Sequence, residues 1–355
     1  MRVLVCPTAF KESMTAAEVT GVVTAGVLEA IPDATVVRMP VSDGGPGLID
    51  SIAAAAGGQL RAHQVHGPLG EPAAARSLWV SPTDVVLETA DACGLHLVPS
   101  ATRDPMRADT RGVGELVAAC LEQGATDITM GLGGSATVDG GTGLARQLGY
   151  RFLGPDGSDL PSGGGGLAKL ARIELGRPLP GGLRVTAIAD VHAPLGGPDG
   201  AARRFGPQKG AGPDEVELLE AGLVRLGRRL RDDLGQDVAH LDGAGAAGGL
   251  GAGCVAFLGA RLVSGSSWVL ERVGFDGELA AADLVVTGEG TWDATSRLGK
   301  VTAEVLRRAR AANVPAILVC GRVTGAPPPG VRVVCGGGVW LEPEDAARLV
   351  AEALG

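Results

Sequence analysis

Acids, hydroxyls and lysines recur beside glycines just after the apolar, β-branched runs of this 355-residue chain. "RVLVC" (2–6) runs into "PTAFKES", which carries Lys11 and Ser13, and "ATVVRM" (34–39) runs into "PVSDGGPG", where Asp43 precedes Gly44 and Gly45. "DITMGL" (127–132) opens into "GLGGSATVDGG" (131–141), with Gly133, Gly134, Ser135, Thr137 and Asp139. "LRVTAIAD" (183–190) ends on Asp190, with His192 two residues on, and "DLVVTGEG" (283–290) carries Gly288 and Glu289 toward Asp293 and Lys300. One aspartate in a turn is ordinarily an Asx-turn or a helix cap. Recurrence at successive strand ends points instead to a site, because open α/β sheets bind ligands beyond the carboxyl ends of their strands. The chemistry these side chains suit is phosphoryl transfer. Glycine-loop N–H groups and lysines hold phosphates, one carboxylate helps hold Mg²⁺, and another accepts the nucleophile's proton.

Lysine usage sharpens the point. Only four of the 31 basic residues are lysine (Lys11, Lys169, Lys209 and Lys300), and three of these stand in glycine-rich or turn-like loops. A compact ammonium there suits a phosphate or a carboxylate. Other chemistries fit poorly. No G-x-x-x-x-G-K-[ST] occurs, and "GAGAAG" (243–248) and "GLGGSA" (131–136), which match dinucleotide fingerprints, have no acid ending a second strand about 20 residues on. His63, His66, His96 and His240 are not spaced as ligands or as a triad.

The elements that must position these loops read as strand-then-helix alternation. Further strands are expected at "DVVLETA" (84–90), "AILVC" (316–320) and "VRVVC" (331–335), and helices at 15–30, 114–124, 214–234, 302–312 and 344–354. Continuous apolar strands between helices indicate an α/β fold with parallel sheets. Residues 59–90 read as consecutive strands joined by tight turns, hence an antiparallel patch, and 154–166 as a loop. Both termini read as parts of one βα layer. The expected organisation is a discontinuous Rossmann-like domain, 1–70 plus 280–355, with a second α/β domain inserted at 71–279.

A net charge of −9 without a basic block argues against a nucleic-acid surface and for a small-molecule ligand. Six scattered cysteines without a C-x-x-C pair indicate neither a disulfide framework nor structural zinc. No cleavable leader and no run of about 18 apolar residues is evident, so a cytoplasmic protein without a membrane partner is expected. A homodimer is compatible with these features.

In order, "KES" (11–13), "PVSDGGPG" (40–47), "GPLGEP" (67–72), "RDP" (103–105), "TRGVGEL" (110–116), "GLGGSATVDGG" (131–141), "ADVHAPL" (189–195), "FGPQKGA" (205–211), "GAGAAGGLGAG" (243–253) and "TGEGTWD" (287–293) resemble the bacterial glycerate kinase family, whose members make 2-phosphoglycerate. The resemblance covers most of the chain and thins after about residue 320. It implies two α/β domains, one Rossmann-like, and ATP- and Mg²⁺-dependent transfer to a hydroxyl of D-glycerate. By resemblance and position, Lys11, Lys209 and Lys300 go to anionic oxygens and Asp190 to general base. Asp43, Glu289 and Asp293 go to Mg²⁺ or substrate hydroxyls. Gly133, Gly134 and Ser135, with Thr137, Asp139, Gly288 and Glu289, go to phosphate or nucleotide. Ser13, Gly44, Gly45 and His192 go to substrate, and Arg111 and Arg204 either to its carboxylate or to a solvated surface.

The sequence also departs from the family. Thr8 stands where an acid is usual, "DGGEGT" is "DGGPGL" at Pro46 and Leu48, "SATNDGG" carries Val138, and "DVTNPL" carries His192 and Ala193. If these line the cleft, the acceptor is another hydroxy acid or a phosphonate, or the cleft binds ligand without kinase chemistry.

Overall fold

The structure, a computed structural model, describes residues 1–10, 13–294, 296, 300–336 and 343–354. The chain forms two compact units: Met1–Asp43, Gly47–Gly57 and Ser264–Gly355 make the first, and Gly44–Pro46 with Gly58–Val263 the second. The first begins with β1 (Arg2–Val5), α1 (Ala16–Ala30), β2 (Thr35–Arg38) and α2 (Leu48–Ala56). The second contains β3 (Gln59–His66), β4 (Pro72–Trp79), β5 (Asp84–Glu88), α3 (Ala90–Cys93), α4 (Arg111–Glu122), β6 (Asp127–Gly131), α5 (Thr142–Gln147), β7 (Arg151–Leu153), β8 (Arg172–Glu174), β9 (Arg184–Ile188), α6 (Ala201–Phe205), α7 (Pro213–Leu234), α8 (Ala246–Leu258) and β10 (Arg261–Val263). The chain then completes the first unit with α9 (Gly265–Arg272), α10 (Phe275–Ala280), β11 (Leu284–Trp292), α11 (Val301–Ala311), β12 (Ala316–Val323), β13 (Arg332–Cys335) and α12 (Pro343–Leu354).

The unit limits fall at 57/58 and 263/264 rather than near 70/71 and 279/280. The cause at the first limit is strand pairing. β3 pairs antiparallel with β4 along its whole length, Gln59 opposite Trp79 through His66 opposite Pro72, so a boundary at residue 70 would cut a hairpin and strip both strands of their hydrogen bonds. At the second limit, α9 packs on α2 and α11 of the first unit.

The first unit is a five-stranded sheet in the order β13-β12-β11-β1-β2, every pair parallel. Alternation of side chains assigns its two faces. Ile317 and Val319 join Val3, Val5, Val23 and Val350 in one core, while Leu318 joins Trp292 and Leu306 in the other. α1 starts where the sequence indicates: Thr15 and Glu18 form a reciprocal capping box. The second unit is a six-stranded sheet in the order β10-β9-β6-β5-β4-β3. β3, β4 and β5 are the antiparallel patch, and β5, β6, β9 and β10 run parallel. Every apolar run and helical pattern named above forms its element. α8 was not anticipated. It is apolar and glycine-rich all round, without an amphipathic period to read, and its first turn is broken by left-handed Ala247, Gly248 and Gly249.

Candidate functional site

β6 and β9 are paired in register, Gly131 opposite Ile188, and β5 flanks β6 with Glu88 opposite Gly131. The loops after these three strands therefore leave the same sheet edge side by side. The loop after β6 is the glycine-rich 131–141. Its glycines are needed because other backbone comes too close for side chains. A Cβ on Gly133 would lie 2.4 Å from Gly45 Cα, and Gly133 N–H donates to Gly44 O at 3.2 Å. On the other side, a Cβ on Gly248 would lie 1.9 Å from Thr137 O, at φ +68, where L residues are already strained. Gly140 N–H donates to Gly248 O at 3.1 Å. Two glycine-rich strings that resemble cofactor fingerprints are thus packed on each other. Around Ser135 the loop is also tied to the end of α3, since Leu95 N–H donates to Gly134 O at 2.8 Å and Ala136 N–H to Cys93 O at 2.7 Å.

Asp139, assigned to phosphate from sequence, is sealed inside. It is 0% exposed. Its carboxylate accepts from Thr110 N–H (3.0 Å), Thr110 Oγ1 (2.8 Å), Gly141 N–H (3.1 Å) and Gly143 N–H (2.9 Å). Burial, with Asp109 nearby, pushes its carboxyl up, while these hydrogen bonds hold it down. It anchors the starts of α4 and α5, with its carboxylate closed off from solvent. Lys209 is likewise buried, its Nζ donating to Ser135 Oγ at 2.9 Å and Thr137 O at 2.7 Å. It holds the loop from within.

Asp190 lies two residues beyond β9 and is half-buried. His192 is exposed, its Nδ1 2.8 Å from Asp242 Oδ2. Arg111 is half-buried at the first turn of α4, its backbone N–H bonded to Asp109 Oδ1 at 2.9 Å. Arg204 is exposed and covers the neighbouring Phe205 ring, 5.5 Å from its centroid. Gly44 packs on Ile188 at the end of β9, a Cβ there falling 3.1 Å from Ile188 Cγ1, so Gly44 and Gly45 form part of this edge.

In the first unit, the parallel sheet brings the residues after β1, β2 and β11 to one edge. Thr8 N–H donates to Gly288 O at 2.9 Å and Val41 N–H to Pro7 O at 3.1 Å. Strand packing alone requires the glycine at 288, since a Cβ there would lie 2.6 Å from Val319 O. Glu289 is the central group, 7% exposed. Its Oε2 accepts from Ser296 Oγ at 3.0 Å, while its buried Oε1 has no hydrogen-bond partner among the described residues. Burial raises its carboxyl to about 7, against the pull of Lys300 and Ser296 and with help from Asp293 and Asp43. Sequence reasoning missed Ser296. Its N–H donates to Asp293 Oδ1 at 3.0 Å, so Asp293 caps a turn that delivers Ser296 to Glu289. Ser13 is exposed in a turn on Phe10 O. Lys11 lies outside the described residues.

Among the described residues no three His, Cys, Asp or Glu side chains are grouped to hold a metal ion. Mg²⁺ commonly takes only one or two carboxylates beside substrate phosphates and water. The unpartnered Glu289 Oε1 fits the role of such a ligand.

The departures from the family sort by burial. Leu48, Val138 and Ala193 are 0% exposed, so they pack the interior and do not line a cleft. Thr8 Oγ1 bonds to Gly288 O at 3.2 Å. Pro46 and His192 are exposed.

The chain matches the glycerate kinase family over residues 3–329. A glycerate kinase of Halalkalibacterium halodurans is 39% identical over 90% of this chain and 85% of its own length. The glycerate kinase of Bacillus subtilis and the glycerate 2-kinase of Escherichia coli are each 40% identical over 91% of this chain and 86% of theirs. A Salmonella typhimurium LT2 protein assigned as glycerate kinase 2 has a crystal structure similar to this one, with a TM-score of 0.83 and 36% identity over 100% of this chain and 97% of that one.

Proposed function

The chain belongs to the glycerate kinase family, and from that premise we propose that it transfers the γ-phosphoryl group of ATP to the 2-hydroxyl of D-glycerate, releasing ADP and 2-phosphoglycerate. Likeness to a glycerate 2-kinase across nearly the whole chain carries this reading. Burial supports it: three of the six departures that favour another acceptor are core residues. No described helix is long and apolar enough to cross a membrane, and the cytoplasm is the proposed location.

Asp190, at the end of β9, takes the hydroxyl proton as the oxygen attacks phosphorus, the role a carboxylate plays in such transfers. Gly134 and Ser135, on the loop that Gly133 N–H ties to Gly44 O, present backbone and hydroxyl donors to anionic oxygens. Lys300 and Lys11 add positive charge. Glu289 and Asp293 are the groups to hold Mg²⁺, which when bound neutralises charge on the transferring phosphoryl group. Burial keeps Glu289 short of an easily held charge until a cation arrives.

Phosphorus NMR of a mixture of the protein, Mg-ATP and D-glycerate tests the reading. It predicts ADP and 2-phosphoglycerate, and a loss of 10²- to 10⁴-fold in kcat for Asp190→Asn. Turnover of another hydroxy acid but not of glycerate would establish a changed acceptor. Tight Mg-ATP binding without transfer to any acid would make the protein a binding relative.

A further inference from the structure

Lys209 is the most unusual charge in the second unit. It is 3% exposed, and among the described residues it forms no ion pair. An unpaired buried ammonium is costly, so a fold retains one only where something offsets it. The local sequence is shaped to deliver it. Gly206 leaves no room for a side chain, its Cβ position lying 2.4 Å from Ala202 O. Pro207–Lys209 forms one 3-10 turn, which Gly210 ends at φ +102. Arg103 Nη1 pins the turn from outside through Gln208 O at 3.1 Å. Inside, Nζ spans the loop, bonding Ser135 Oγ and Thr137 O. The titratable groups acting on it are Cys93 and Asp139, both fully buried. Burial lowers Lys209 to about 8, so it remains largely charged at neutral pH.

The ammonium has only hydrogens to give. Ser135 Oγ must therefore accept from it, which turns the hydroxyl's own hydrogen elsewhere, and no described group accepts that hydrogen. We infer that Lys209 is a positioning residue: from beneath the loop it fixes Ser135 as a hydrogen-bond donor to an anionic oxygen of a substrate, phosphate or carboxylate, and polarises that donor with its own charge. The inference rests on the proposed reading that the 133–135 loop receives such an oxygen. It differs from the sequence expectation, in which Lys209 itself touches substrate.

Calorimetric binding of ATP and, separately, of D-glycerate to wild type, Lys209→Met, Ser135→Ala and the double variant tests this, with thermal melts of the ligand-free proteins alongside. Lys209→Met keeps the volume and removes the charge. Each single change is expected to weaken the same one of the two ligands by about tenfold to a hundredfold, the worth of a hydrogen bond to a charged group. The double variant should be no weaker than the weaker single, because both act through one donor. Which ligand weakens identifies the oxygen as phosphate or carboxylate. Additive losses, unchanged binding in either single variant, or no binding of either ligand to wild type would overturn the inference. If Lys209→Met does not fold, Ser135→Ala decides, since retained binding of both ligands removes the donor from the argument. Absence of wild-type turnover with these binding losses intact would sink the proposed reaction and leave Lys209 in its role.

Discussion

Replacing Asp139 by alanine tests whether this acid is an anchor or a ligand. The carboxylate accepts from three backbone N–H groups, of Thr110, Gly141 and Gly143, and from the Thr110 hydroxyl. Thr110 Oγ1 in turn accepts from Leu144 N–H at 3.0 Å, so one side chain organises the starts of two helices. Alanine leaves those donors without partners in a fully buried place, at about 1–3 kcal/mol each. Part of this is offset, because a buried charge is itself unfavourable and burial already pushes the Asp139 carboxyl up. The net expectation is a destabilisation of ~3–5 kcal/mol, or roughly 10–15 °C in the melting temperature of a unit of this size. Differential scanning calorimetry of the ligand-free protein reads it directly. Asp139→Asn should lie between, because its amide nitrogen opposes one set of donors. A shift below about 3 °C for the alanine variant, or an asparagine variant that melts like wild type yet no longer binds ATP, would refute the anchor and return Asp139 to the ligand.

Gly248→Ala should destabilise the second unit by more than ~3 kcal/mol or prevent soluble expression, since its Cβ would fall 1.9 Å from Thr137 O at a positive φ; a normal urea midpoint would show that the two glycine strings are not in contact. Val138→Asn, which restores the residue usual in the family, should cost ~2–4 kcal/mol by burying an amide and leave the preference among hydroxy acids unchanged in a substrate panel. Glu289→Gln should change the pH dependence of stability in EDTA. The Glu289 carboxyl is held at about 7 in the folded protein, above its ordinary value of 4.5, so its favourable neutral form is complete at acid pH and lost as pH rises through 7. The variant should therefore gain on wild type between pH 5 and 8.5, by ~2–3 kcal/mol, and parallel unfolding curves would contradict the burial argument.

Much of the architecture was legible because its signals are local. Apolar runs such as "RVLVC" and "DLVVTGEG" became β1 and β11, the Thr15–Glu18 box started α1, and the short turns of 59–90 gave the antiparallel patch. Acids, hydroxyls and lysines at strand ends are likewise local, since a parallel sheet places every such end on one edge. α8 escaped notice because a helix apolar on all sides has no period. The fate of each polar group was not local either. Asp139, Lys209 and Glu289 all stood beside glycines and all are buried, and only the hydrogen-bond partners that packing supplies separated an anchor, a support beneath the loop and a carboxylate oxygen without a partner among the described residues.

The amino-acid sequence by itself determined the elements that carry a period or a β-branched run, the parallel sheets, the family and the short list of reactive side chains. Tertiary structure alone decided what the glycines of 131–141 are for. Close approach joins residues far apart in the chain, Gly133 to Gly45 and Gly248 to Thr137, and no pattern within either string reveals its partner. The same reason removes Val138 from the question of substrate: a side chain's neighbours in the core are set by packing across the sheet, and there the valine faces only the interior.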